Sequence, residues 1–150
     1  EIAHGLVGSE RCIRDRPYTL LNQEPLENIF PECQKRGMGI ILGAPYASGI
    51  LATGASSGAR YGYAPVEESV LNRVKAIENV CIEHKIPLKA AALQFPLGHP
   101  LVASVIPGAM HPDQVRDNLA MMKHPIPDSS WRDLKNEGLL HPEAPVHSND

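Results

Sequence analysis

Apolar residues recur at helical spacing between Glu24 and Arg36, where Leu26, Ile29, Phe30 and Cys33 share one face. Gly37 follows at the position where a left-handed residue ends a helix. The run Met38–Gly43 is short and apolar, which predicts a strand buried on both faces. Ala44 to Ala64 has no strong period; it carries glycines, small hydroxyl residues and Tyr46, Tyr61 and Tyr63, and reads as a long loop of functional type. Pro65 is the expected start of a helix with Val66, Val70, Val74, Ile77 and Cys81 as its inner stripe, closed at His84, Lys85 and Pro87. Leu88–Phe95 predicts a short, largely buried helix, broken by Pro96 to Pro100. Leu101–Ile106 is a β-branched strand. Pro112 opens a helix with Val115, Leu119 and Met122 on its inner face. Asp128–Glu137 predicts a last helix, with Asp128 as N-cap, Gly138 as C′ residue, and Trp131 and Leu134 buried. From His141 onward the chain reads as a peripheral tail.

Strands separated by helical patterns imply βαβ units, a parallel sheet and an α/β fold. Two loops then follow C-terminal strand ends: Ala44 to Gly54, and Pro107 to His111. Ligands of parallel α/β folds bind at that edge. The second loop also faces a helix N-terminus, whose first N–H groups lack intrahelical partners and favour an anion such as a phosphate. The alternative is a pair of ordinary surface loops.

Composition narrows the picture without deciding it. Hydrophobic residues make up 43% and charged residues 21% of the 150, a globular balance. The net charge of -3 and the lack of a basic run argue against nucleic acid as partner. No apolar stretch reaches the length of a membrane span, so a soluble protein is expected. Cys12, Cys33 and Cys81 are too few and too scattered for a disulfide framework and read as reduced thiols of a cytoplasmic protein. The seven histidines show no metal-pair spacing. The chain starts at Glu1, which suggests a removed leader or an internal piece of a longer polypeptide. The segment Glu1–Arg16, broken by Arg11, Arg14, Asp15 and Arg16, predicts no strand.

The phosphate-loop signatures G-x-G-x-x-G and G-x-x-x-x-G-K-[ST] are absent. A resemblance is carried instead by Val105-Ile-Pro-Gly-Ala109 followed by Pro112, Asp117 and Asn118. Ala44-Pro45, Ser48-Gly-Ile-Leu-Ala-Thr-Gly54 and Tyr18-Thr-Leu-Leu-Asn-Gln23 extend it. Together these resemble the last strand-to-helix unit, the loop after the seventh strand and the end of the sixth strand of the aldo-keto reductases. Ala90-Ala-Ala-Leu-Gln-Phe-Pro-Leu97 is similar to the bacterial branch that oxidises L-fucose, D-threo-aldoses or pyridoxal. The likeness spans residues 17–146, leaving 1–16 unmatched and 147–150 as a tail.

The resemblance implies the C-terminal portion of a (β/α)8 TIM barrel with parallel strands, binding a nicotinamide cofactor. Ile106, Pro107, Gly108 and Ala109 would lie along the adenosine phosphates, Asn118 would reach the adenine, and Asp117 would sit beside it. Ala44, Pro45, Tyr46, Ser48, Gly49 and Leu51 would form a belt over the nicotinamide and pyrophosphate. Where relatives stack an aromatic ring on the nicotinamide this chain has Gly43, with Tyr46 as a substitute. Relatives that prefer NADP carry Lys after the proline and Arg early in the helix; here Gly108 and Gln114 are neutral, which favours NAD. Arg116 lies roughly 200° round the helix from Gln114 and is poorly placed to replace that Arg. The family's catalytic Tyr, Lys, Asp and His come from the first half of the barrel and have no match. A whole barrel takes about 250 residues. The expectation is therefore a cofactor-binding half that needs its missing N-terminal half or self-association. The rival is a non-catalytic truncated barrel that senses nucleotides or binds a partner.

Overall fold

The structure is a computed structural model that describes residues 18–55, 60–61 and 64–147. The segment Glu1–Arg16 and Cys12 lie outside the described residues, as do residues 148–150 of the tail. Near the start, Thr19 and Asn22 close a tight turn through reciprocal backbone bonds of 2.9 and 3.1 Å. A 3₁₀ turn at Glu24–Leu26 leads into α1, Ile29–Lys35. The helix closes at Gly37, where φ is +64°: Met38 N–H donates to Cys33 C=O at 2.9 Å, and Gly37 N–H to Gln34 C=O at 3.1 Å. Glycine adopts that left-handed conformation without a Cβ clash.

Strand β1, Ile40–Gly43, follows directly. The next loop is less irregular than its composition predicts. It contains a 3₁₀ turn at Ala47–Gly49 and a short helix α2, Ile50–Thr53. Two-residue strands β2, Arg60–Tyr61, and β3, Ala64–Pro65, then pair antiparallel. Pro65 thus lies in an extended pair, and helix α3 begins later, at Glu68, and runs to Glu83. Its Val74, Ile77 and Cys81 are buried as the stripe predicts, with Val66 and Val70 packed at the margin. Helix α4, Leu88–Gln94, buries Ala90, Ala91, Ala92 and Leu93. Strand β4, Val102–Ile106, helix α5, Pro112–Met122, and helix α6, Asp128–Asn136, complete the order. Asp128 opens the last helix from inside; Pro127 occupies the N-cap position, and Gly138 closes the helix with φ +68°.

Strands β1 and β4 pair in parallel, with Leu42 opposite Val105 and Gly43 opposite Ile106. A register shift between Ile40 and Ile41 puts an extra residue into β4. Helices α2, α3 and α4 make the crossover between the strands, and the fold class is α/β with parallel strands. The core lies between the sheet and helices α3, α4 and α6. Tyr18, Phe30, Phe95 and Trp131 form an aromatic chain, with Tyr18 5.0 Å from Phe30, 4.9 Å from Phe95, and Phe95 6.2 Å from Trp131. Polar groups stitch the helix ends. Arg73 donates to Leu139 C=O at 2.8 Å, and Gln94 donates to Met121 and His124 C=O at 2.7 and 2.9 Å, satisfying carbonyls at the ends of α6 and α5.

Three further expectations are overturned. Strand β1 is buried on one face only: Ile40 and Leu42 are inside, but Ile41 is 49% exposed. On α5 the stripe Val115, Leu119 and Met122 points outward, 49%, 58% and 38% exposed, and the buried residue is Asn118. Periodicity marks a face as apolar, but the described residues offer nothing to cover this one. The tail is not peripheral. Leu140 and Ala144 are buried, His141 N–H donates to Gln23 Oε1 at 3.1 Å, and Gly98 is packed tightly against Pro145 and Val146.

Candidate functional site

Because Gly43 and Ile106 are paired in a parallel register, β1 and β4 end at the same edge. The two candidate loops therefore start side by side. The first is held in an unusual backbone. Ala44, Ala47 and Ser48 have φ of 52°, 47° and 59°, and Gly49 follows at 98°. Left-handed φ in residues with a Cβ is uncommon, and such strain gathers at ligand sites. Ala44 and Ser48 are exposed, whereas Pro45, Tyr46 and Ala47 are buried. Leu51 is fully buried in the core, so it offers a ligand backbone and not side chain.

The second loop is open. Ile106, Gly108 and Ala109 are exposed, with Pro107 half-buried, and a Cβ added at Gly108 would meet nothing within 4 Å. Gln114 folds back on this loop: its Oε1 accepts from Met110 N–H at 2.6 Å and from His111 N–H at 3.4 Å. It is thereby spent on the helix start, in the manner of a capping box. Arg116 is paired to Asp113 within its own helix at 2.5 Å.

A buried hydrogen bond joins the first loop to helix α5. The Tyr46 hydroxyl donates to Asn118 Oδ1 at 2.7 Å, across 72 residues of sequence. Burial, with the nearby Asp117 carboxylate, pushes the Tyr46 phenol up to about 12, so it stays protonated as a donor. Asp117 is ion-paired to Lys89, whose ammonium also stands 5.3 Å from the centre of the Tyr46 ring. Sequence reasoning missed Lys89. The signal was available: it is the lone charge in the otherwise apolar run Leu88–Leu93. Tyr46 is thus anchored under the loop by Asn118.

A model of the Aldo/keto reductase family matches residues 15–137. The chain belongs to this family. Among curated proteins, this aldo-keto reductase chain is 37% identical over 123 residues to pyridoxal 4-dehydrogenase of Microbacterium luteolum, covering 82% of this chain and 36% of that one. It is 34% identical over 124 residues to D-threo-aldose 1-dehydrogenase of a Pseudomonas species, covering 82% and 38%. It therefore spans little more than a third of the curated relatives it matches. An aldo-keto reductase from Bacillus halodurans, solved in apo and holo forms, superposes with TM-scores of 0.63 and 0.62 at 26% identity. That match covers 89% of this chain and 44% of the apo chain. The fold is accordingly the C-terminal portion of an aldo-keto reductase barrel, and the relatives it matches by sequence are dehydrogenases.

Proposed function

We propose that the intact protein is a nicotinamide-dependent aldo-keto reductase that oxidises an aldose such as L-fucose or a related alcohol or aldehyde, and that this chain is its cofactor-binding half. The observation that carries the reading is the shared edge of β1 and β4, where a strained loop is tied by Tyr46 to Asn118, midway along the helix that follows the second loop. The residues fit a dinucleotide. Pro107, Gly108 and Ala109 expose backbone beside the first turn of α5, where an anion is favoured. Ala44 to Gly49 provide a preshaped belt. The dinucleotide supplies a hydride acceptor when bound: oxidation transfers hydride from the carbinol carbon and releases the hydroxyl proton. The chain's own share is to hold and orient, since the Tyr46 proton is committed to Asn118. The catalytic Tyr, Lys, Asp and His belong to the other half. The exposed apolar residues Ile41 and Ile106 of the sheet, and Val115, Leu119 and Met122 of α5, are the surfaces that half would cover.

NAD is favoured over NADP. Gly108 is neutral, Gln114 is folded onto the loop, Arg116 is engaged by Asp113, and Asp113 adds negative charge to the first turn. A 2′-phosphate therefore finds no uncommitted guanidinium at the start of α5. Fluorescence titration of the full-length protein with NADH and NADPH tests this. NADH is expected to bind at least about tenfold more tightly, the order of one charge-assisted contact. Equal affinities overturn the preference, and binding of neither overturns the function. NAD reduction with an aldose, recovered when the N-terminal half is added in trans to this chain, separates the enzyme from a nucleotide-sensing module.

A further inference from the structure

We infer that the cleft between the C-terminal end of α5 and the start of α6 binds a small organic anion: an oxyanion group, carboxylate or phosphate, carried on an apolar body. The cleft lies at the far end of α5 from the two edge loops, about 16 Å along an eleven-residue helix. It is a second site and does not depend on the dinucleotide reading.

The cleft has a volume of about 330 Å³, enough for a small molecule. Its rim carries Lys123, His124 and His147, and among the described residues no carboxylate lines it. None of these three side chains makes an ion pair or a hydrogen bond among the described residues. Elsewhere the basic groups are spent: His84 on Asp133, Lys89 on Asp117, Arg73 on the Leu139 carbonyl. The floor is apolar, with Ile126 and Trp131 buried and Leu97 packed on the core. Trp131 is 2% exposed. Its indole N–H has no hydrogen-bond partner among the described residues, yet it is not sealed from solvent. The little surface that Trp131 keeps therefore includes this donor, and it opens on the cleft. A buried ring with a free N–H at its edge, below an ammonium and two imidazoles, matches an oxyanion on an apolar body.

The surroundings remove what would oppose an anion there. Carbonyls at the end of a helix repel negative charge. Here Gln94 Nε2 donates to the Met121 and His124 carbonyls at 2.7 and 2.9 Å, and Lys123 N–H donates to Ala120 C=O at 3.1 Å. The donors are also held in place. Pro125 and Pro127 bracket the buried Ile126, and their rings restrict the connection that carries Lys123 and His124. His147 reaches the rim because the tail before it is fixed: Ala144 is buried, and Val146 lies so close to Gly98 that a Cβ there would stand 2.7 Å from its Cα.

The test is calorimetric titration of the full-length protein with benzoate and with phenyl phosphate. Benzyl alcohol, which lacks the charge, and inorganic phosphate, which lacks the apolar body, serve as controls. At least one of the two organic anions is expected to saturate, and the tighter of them identifies the oxyanion. Each control should bind at least about fivefold more weakly. Lys123→Met should weaken the tighter anion about two- to fivefold, the range of one exposed charge contact. The indole N–H resonance that disappears in Trp131→Phe should shift on titration of the wild-type protein, and saturating NADH should leave the anion's affinity unchanged. The inference is overturned if neither anion saturates at millimolar concentration, if a control binds as tightly, if Lys123→Met binds like wild type, if the indole resonance does not move, or if NADH competes.

Discussion

The half of the molecule built from α3, α4 and α6 and the half carrying β4, α5 and the two edge loops obey different rules. In the first, every apolar stripe is covered. Leu134 and Val74 are wholly buried, rings interlock from Tyr18 to Trp131, and helix ends are tied off by Arg73 and Gln94. In the second, Leu119 and Ile106 are more than half exposed, a buried asparagine replaces a buried leucine as the contact of α5, and three alanine or serine residues hold left-handed backbone. The first half is arranged for burial. The second leaves apolar surface exposed and backbone strained.

The sharpest break in this comparison is one substitution made twice. Leu134→Ala should cost about 2–5 kcal/mol, because buried methyl groups are lost and a cavity remains. Leu119→Ala should stay within about 0.5 kcal/mol in denaturant melts of the same chain. Equal costs would show that the face of α5 is covered. Next in size is Gly98→Ala. Its Cβ would lie 2.7 Å from Val146 Cα and 2.8 Å from Pro145 O, a contact that backbone must move to relieve. A loss of about 1–3 kcal/mol is expected; a neutral result would return the tail to the periphery.

A third measurement uses pH. His99 packs edge-on against Phe30 at 4.4 Å, its Nδ1 accepts Leu101 N–H at 3.2 Å, and burial lowers its pKa below the ordinary 6.5. The unfolded chain takes up this proton first as pH falls. The stabilising contribution is intact above pH 6.5 and is lost as pH drops through the depressed folded value. The melting temperature should decline from pH 7 to pH 5, with a shallower decline in His99→Gln. An identical slope in the variant would remove His99 from the account. The smallest effect comes from glycine at left-handed sites. Lys85, with φ 55° at the end of α3, and Ala44, with φ 52° in the edge loop, should each gain up to about 1 kcal/mol as glycine. Lys85→Gly should leave NADH affinity alone, whereas Ala44→Gly should lower it by loosening the belt. Equal affinities for the two variants would mean that strain in this loop serves nothing.

The contrast also explains what could be read in advance. The stripe of α3, the closing glycines Gly37 and Gly138 and the buried Trp131 all follow from local rules, since each depends on neighbours within one helix. The two loops could be placed at one edge because parallel strands point the same way. The inward assignment of Val115, Leu119 and Met122 failed because an amphipathic pattern does not say which neighbour covers it. The start at Pro65 failed because a proline suits the extended pair Ala64–Pro65 as well as a first helical turn.

By itself, the amino-acid sequence determined five of the six α-helices of the described residues, the parallel pair, the two loops and the family motifs around Pro107 and Asn118. These are encoded in spacing and in residues with special backbone conformations. Tertiary structure alone decided that Tyr46 meets Asn118, that Lys89 meets Asp117, and that Ala144 belongs to the core. The physical reason is distance along the chain. A hydrogen bond spanning 72 residues leaves no local signature, and its partners are chosen only when the strands have set the edge from which both loops depart.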